Sequence, residues 1–101
     1  MPKIFEYFGL VIFFYSNEHN PVHVHAKKGE YESKAEFYIR DGKVSEIKIV
    51  NIKGKKPLKS NDLKDFKDFL TSYADEIVVK WIEYFVYHKD IPFQKITKRL
   101  K

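Results

Sequence analysis

Three of the four histidines in this chain, His19, His23 and His25, lie within seven residues. Histidine exchanges a proton near neutral pH, and its neutral ring is also a frequent metal ligand. Such a cluster can therefore support acid–base chemistry or bind a metal ion. The elements that carry the cluster decide which other side chains join it.

The segment around the cluster predicts a β-hairpin. Apolar and polar residues alternate over residues 22–27, so His23 and His25 share one face of a strand. Lys28 and Gly29 come next and predict a two-residue turn. The strand after this turn is expected to return beside the histidines.

That predicted register determines the neighbours of the histidines. It sets His25 opposite Glu32 and His23 opposite Lys34, and directly paired side chains have Cβ atoms about 4.5–5.5 Å apart. We therefore expect His25 and Glu32 to be in contact. The candidates for acid–base chemistry on this surface are His19, His23, His25, Glu32 and Lys34.

RNA cleavage is one reaction that such groups can perform. A base accepts the proton of the 2′-hydroxyl, an acid protonates the leaving oxygen, and two histidines can fill both roles. A lysine can stabilise the charged intermediate, and a carboxylate can orient a histidine. This interpretation predicts a metal-independent ribonuclease that needs no cofactor.

Two other interpretations remain open for the same residues. His23, His25 and Glu30 could form a two-histidine, one-carboxylate metal site. Alternatively, the histidines lie on a solvent-facing strand or in a protein interface and carry no chemistry.

Further strands are predicted on both sides of this hairpin. Residues 3–8 alternate in polarity, and residues 10–15 are apolar on both parities. The second segment is expected to be covered on both faces, by a helix or by another chain, so a homodimer is one option. Residues 41–43 predict a three-residue loop that pairs Phe37 with Ile47.

The second half of the chain predicts a helix. Apolar residues recur at steps of three or four over residues 60–88, with a break or kink expected at residues 71–73. The predicted fold is one α+β domain over residues 1–101. A meander of four or five antiparallel strands carries one long or kinked C-terminal helix, or a helix pair, on one face. The parts are a β-rich region 1–50, a basic loop 51–59, a helical region 60–88 and a basic tail 89–101.

The charge of the chain allows an acidic partner. Nineteen Lys and Arg oppose fourteen Asp and Glu, which gives a net charge of +5. Basic segments can contact phosphates without reading a base sequence, and a solvated basic surface is the alternative. The candidate nucleic-acid contacts are Lys53, Lys55, Lys56, Lys59, Lys98 and Arg99.

Composition also indicates the cellular compartment and excludes some kinds of site. There are no cysteines, which excludes disulfides and thiolate metal sites. The longest apolar run is far shorter than the roughly 20 residues that span a bilayer, and no signal-peptide pattern is present. We expect a cytoplasmic protein with no membrane partner.

Three sequence stretches together resemble one bacterial family. They are F-F-Y-S-N-E-H-N-P-V-H-V-H at residues 13–25, E-S-K-A-E-F at 32–37 and K-W-I-E-Y-F at 80–85. The family is catalogued as domain of unknown function 4160, and the resemblance covers nearly the whole chain. Many members have Pro-Pro before the histidines, where this chain has Asn20 and Pro21.

The resemblance implies the toxin of a type II toxin–antitoxin module, acting on RNA or translation through the histidine-rich surface. Such genes often lie beside a second small family, domain of unknown function 2442. A cognate antitoxin of that family is therefore the implied partner. The alternatives are a non-enzymatic protein- or nucleic-acid-binding module and a histidine-based metal-binding protein.

Overall fold

The chain folds into a six-stranded sheet with one long helix across one face. A computed structural model describes residues 2–14 and 22–100, and in it the strands follow the order β5-β4-β3-β2-β1-β6. All neighbouring strands are antiparallel except β1 and β6, which are parallel. The elements are β1 (Lys3–Tyr7), β2 (Leu10–Phe13), β3 (Val22–Lys28), β4 (Tyr31–Arg40), β5 (Lys43–Asn51), α1 (Ser60–Phe85) and β6 (Gln94–Ile96).

The helix covers one of the two faces of the sheet. Alternation along the strands sends apolar side chains such as Ile12 and Val24 to the face under α1, which we call the helix face. Phe5 packs there against Phe69, with ring centroids 5.0 Å apart. We call the opposite surface the far face. It carries His23, His25 and the residues paired with them.

The first hairpin turns one residue later than predicted. Gly29 and Glu30 form the turn, and Lys28 pairs with Tyr31. Gly29 occupies the first central position with φ +62°, a conformation that glycine adopts without strain and that a type II′ turn requires there. The predicted pairing of His23 with Lys34 is therefore wrong by two residues. The faces are unchanged, because a shift of two preserves the alternation.

The second hairpin has the predicted pairing but a different turn. Phe37 pairs with Ile47, as predicted. The turn contains two residues, Asp41 and Gly42, both at positive φ, rather than the predicted three. A bulge at Ser45 absorbs the extra residue, and its hydroxyl donates a hydrogen bond to the Tyr38 carbonyl at 3.0 Å.

The sheet has one more strand than the four or five predicted, and it is mixed rather than antiparallel. Residues 94–96 lie in the segment predicted to be a basic tail, and they return beside β1 as β6. Only Ile96 of these three is buried. A three-residue strand with two exposed polar positions carries too little alternation to be recognised in the sequence.

The helix is single and unbroken, so the predicted break at residues 71–73 is absent. Thr71 lies within the helix, and its hydroxyl donates a hydrogen bond to the Lys67 carbonyl at 3.0 Å. The helix ends at Phe85, three residues before the predicted end. His88 follows at φ +56°, a left-handed conformation that does not continue a helix.

Four of residues 10–14 are buried within the chain itself, and Val11 is partly buried. Leu10 and Ile12 belong to the core under α1, and Phe13 lies buried on the far face. Helix α1 therefore covers the helix-face side of this run, which is one of the two covers predicted for it. No helix among the described residues is long and apolar enough to cross a membrane.

Candidate functional site

His25 lies at the centre of the far face. It is on β3, which is hydrogen-bonded to β2 on one side and to β4 on the other, so both ladders fix its backbone. Phe13 of β2 and Lys34 of β4 pair directly with it. The rings of Phe13 and His25 stack, with centroids 5.4 Å apart and planes inclined by 24°. This stacking restricts the orientation of the imidazole.

Glu32 contacts His25, as the sequence predicted, although along the diagonal of the ladder. Glu32 pairs directly with Lys27, two residues further along β3. Its Oε2 atom lies 3.3 Å from Nδ1 of His25. Diagonal neighbours in a sheet are within reach of long side chains, which explains why the contact survives the register shift.

His23 completes the cluster on the same face. Its ring lies edge-on to that of His25, with centroids 5.4 Å apart. Glu36 rather than Lys34 pairs directly with it. Lys34 instead lies opposite His25, and its Nζ is 3.7 Å from Oε2 of Glu36. We refer to Phe13, His23, His25 and Glu32 as the histidine site.

The histidine site is buried although it lies on the face without the helix. His23, His25 and Glu32 are 8%, 5% and 4% exposed. Burying a charged group is unfavourable unless it is paired, so the contact between Glu32 and His25 offsets part of that penalty. Lys34 lies at the rim, with its side chain 29% exposed.

Part of the predicted basic loop contacts this site. Residues 52–59 pass beside the start of β4, where the N–H of Glu32 donates to the Lys56 carbonyl at 2.8 Å. Lys55 is half exposed, and its Nζ lies 3.9 Å from Oε1 of Glu32. A cation is thereby placed at the solvent edge of the buried carboxylate.

The other lysines of the loop lie further from the histidines. Lys56 pairs with Glu30 at 3.3 Å, and Lys59 lies over the Tyr31 ring at 5.0 Å. Lys53 is exposed. These side chains line the end of the sheet where the Gly29–Glu30 turn is found.

The two predicted nucleic-acid contacts in the tail, Lys98 and Arg99, differ in environment. Lys98 is exposed, whereas Arg99 attaches the tail to the rest of the chain. Arg99 bonds Asp65 at 2.8 Å and stacks over the Phe8 ring at 4.2 Å. A hydrogen bond with Tyr7 and the charge of Asp65 raise the pKa of Arg99 above its ordinary value.

The residues of the predicted metal alternative are not assembled. Glu30 lies in the hairpin turn, exposed and paired with Lys56, while His23 and His25 are buried further along the sheet. Within residues 2–14 and 22–100, no group of three His, Cys, Asp or Glu side chains could hold a metal ion. His19, the remaining predicted site residue, lies outside the described residues.

Two members of the site environment were missed by sequence reasoning. Phe13 belongs to the predicted apolar strand, and nothing in that run marks one ring as the partner of a histidine. Glu36 was missed because of the register error. The preference for glycine at the first central position of a type II′ turn would have placed Glu36 opposite His23.

Comparison with known proteins gives one match. The family model described as Domain of unknown function (DUF4160) matches residues 9–82. No curated protein matches the chain, and no solved structure does. The matched segment contains β2 to β5, the histidine site and most of α1. The chain belongs to the DUF4160 family.

Proposed function

We propose that this protein is a metal-independent ribonuclease that acts as the toxin of a type II toxin–antitoxin module. The observation that supports this proposal is the pairing of two adjacent imidazoles, His23 and His25, with one carboxylate at 3.3 Å from the second ring. Two histidines supply a base and an acid, and a carboxylate on Nδ1 fixes the orientation of the ring.

In the proposed reaction Glu32 holds His25 through Nδ1. The Nε2 atom of His25 accepts the proton of a ribose 2′-hydroxyl, and the 2′-oxygen attacks the adjacent phosphorus. The bond from phosphorus to the 5′-oxygen breaks, and protonated His23 donates its proton to that oxygen. The products are a 2′,3′-cyclic phosphate and a 5′-hydroxyl.

The lysines around the site have electrostatic roles in this proposal. Lys34 lies directly opposite His25 and stabilises the negative charge that develops on the phosphoryl oxygens. Lys55, at the solvent edge of Glu32, contacts the phosphate backbone of the RNA. The net charge of +5 favours association with a polyanion. The proposed partner is a cognate antitoxin of the domain of unknown function 2442 family.

One observation favours a second function, a non-enzymatic binding module. Both histidines and Glu32 are more than nine-tenths buried, and a general base must reach the proton that it abstracts. In a binding module the same groups support the sheet, while Lys34, Lys55 and their neighbours contact a partner.

The test is induced expression of the wild type, His23→Ala, His25→Ala and Glu32→Gln, with growth and total RNA followed in each culture. Exposed His88 provides the matched control, because His88→Ala removes an imidazole away from the site. We expect growth arrest with RNA fragments that end in 2′,3′-cyclic phosphate. The site variants should lose both effects, and His88→Ala should keep both.

Circular dichroism of the purified variants shows whether each one folds. If the wild type arrests growth without cleaving RNA, and a folded His25→Ala variant no longer arrests growth, the histidine site binds a partner and is not catalytic. Arrest that persists in all three site variants would exclude the histidine site from the activity. Coexpression with the neighbouring gene product tests the antitoxin assignment, since a cognate antitoxin restores growth.

A further inference from the structure

The two edges of the sheet differ in length. One edge is β6, with three residues, and the other is β5 (Lys43–Asn51), in which the bulge at Ser45 leaves the run from Glu46 to Asn51 regular. Within the part of the chain that the structure describes, no strand pairs with the outer side of β5. Such an edge presents a row of backbone N–H and C=O groups to any strand that can align with it.

The helix-face side chains of β5 are incompletely covered. Ile47 and Ile49 are only partly buried, and between them and Leu70 of α1 lies an open cavity of about 510 Å³. A second cavity, of about 610 Å³, separates Val44 from Val78 and Ile82. Apolar side chains that are half covered along an unpaired edge favour a further strand at this position.

The far face of β5 carries charges that select a particular strand. Glu46 and Lys48 are the alternating exposed residues on either side of Ile47. In an antiparallel pair, opposite charges on directly opposed residues are favourable, and like charges are unfavourable. A strand with lysine and glutamate in the reverse order would therefore match this edge.

A second copy of β5 has that order when it runs antiparallel. A two-fold axis beside Ile47 places Glu46 of each copy opposite Lys48 of the other. An axis beside Glu46 would place Glu46 against itself, and an axis beside Lys48 would place Lys48 against itself. The charges thus favour one register among the neighbouring possibilities.

We propose that β5 pairs with β5 of a second copy about a two-fold axis at Ile47, so that two sheets become continuous. The interface is isologous, because each copy contributes the same strand. Ile47 meets its own counterpart on the helix face. Glu46 and Lys48 form two equivalent cross-strand pairs on the far face. This proposal is independent of the ribonuclease activity proposed above.

The test is a charge exchange measured by sedimentation equilibrium. Glu46→Lys alone sets the introduced lysine of each copy against Lys48 of the other, and Lys48→Glu alone sets the introduced glutamate against Glu46. We expect each single variant to weaken dimerisation at least about tenfold, because two like-charge pairs replace two opposite-charge pairs. The double variant Glu46→Lys/Lys48→Glu restores both opposite-charge pairs, so its dimer should recover.

Glu30→Lys is the matched control, since it reverses an exposed carboxylate on a different hairpin and should leave dimerisation unchanged. A wild type that stays monomeric overturns the proposal. So does a dimer that tolerates the single exchanges, because its interface then lies elsewhere. Single variants that dissociate without recovery in the folded double variant overturn the register.

Discussion

Strand β3 is buried on both of its faces, but the two faces are built differently. Val24 and Ala26 are fully buried under α1, among the rings of the core. His23 and His25 are almost as buried on the far face, where their neighbours are Phe13, a carboxylate and lysines. The same strand therefore separates an apolar interior from a buried polar one.

The two faces differ in how burial contributes to the stability of the fold. Removing apolar area from water is favourable by about 25 cal/mol per Å², so burial of the side chains on the helix face stabilises the fold. Burying imidazole and carboxylate groups is unfavourable unless they are paired, and apolar replacements are often as stable or more stable. Apolar burial therefore accounts for the helix face but not for the histidine site.

The largest expected effect is on the helix face. Phe69 is fully buried, with ring centroids 5.0 Å from Phe5 and 4.8 Å from Tyr73. Phe69→Ala removes these contacts and leaves a cavity, so the free energy of unfolding should fall by about 3–5 kcal/mol. Urea denaturation measures this loss. Val79→Ala, at a helix position that is 54% exposed, should stay within about 0.5 kcal/mol of the wild type.

A smaller effect is expected on the far face. Glu32→Ala removes the carboxylate beside buried His25, which should lower the free energy of unfolding by about 1–3 kcal/mol. Glu32→Gln should lower it less, because the amide keeps a polar oxygen beside the imidazole. A double-mutant cycle with His25→Ala separates the pair from the rest of the site. Additive losses would show that the two side chains do not support each other.

The smallest expected effect is a change in titration at the exposed edge of the far face. Tyr38 donates a hydrogen bond to Oε1 of Glu36 at 2.8 Å, and this bond, with smaller contributions from burial and from the charges of Glu36 and Glu46, raises the pKa of Tyr38 above its ordinary value. Glu36→Gln should lower that pKa, and Glu46→Gln should lower it less.

The pH dependence of the stability follows from the numbers of protons that the folded and unfolded states bind. Folded Tyr38 keeps its proton at a pH where the unfolded phenol has lost it, so the folded state binds more protons there. The stabilising contribution is present at lower pH and is lost as the pH rises through the folded pKa. The pKa of Tyr38 is measured by NMR, from the chemical shift of the isotope-labelled ring carbon that bears its hydroxyl. This signal is resolved from those of the other six tyrosines. An unchanged pKa in Glu36→Gln would contradict the assigned cause.

The sequence was sufficient for the features that depend on alternation. It predicted an α+β fold, the pairing of Phe37 with Ile47, and the contact between His25 and Glu32, because period-two patterns determine which residues share a face. The residues that form each turn were harder to predict from the sequence. The turn at Gly29 begins one residue later than predicted, so the register of β3 and β4 differs from the prediction by two residues. In the next hairpin a bulge at Ser45 compensates for a shorter turn.

Other features have no local signal. β6 forms because Ile96 is buried beside β1 and Arg99 is held by Asp65 and Phe8, contacts that join distant parts of the chain. The helix passes through residues 71–73 because its apolar stripe packs on the sheet, which overrides weak local propensity. The burial of the histidines also depends on tertiary packing, so their spacing alone left several interpretations open.

The short parallel strand β6 has a consequence for how copies of this protein can assemble. If β5 of one molecule could add to the opposite edge of the next, repetition of that contact would give an open filament. β6 occupies that edge with only three residues, and the bonds of Leu100 to Tyr7 and of Arg99 to Asp65 hold the segment after it in place. If β5 pairs with itself as proposed, the remaining edges of the dimer are the two short β6 strands, and assembly is expected to stop at two copies.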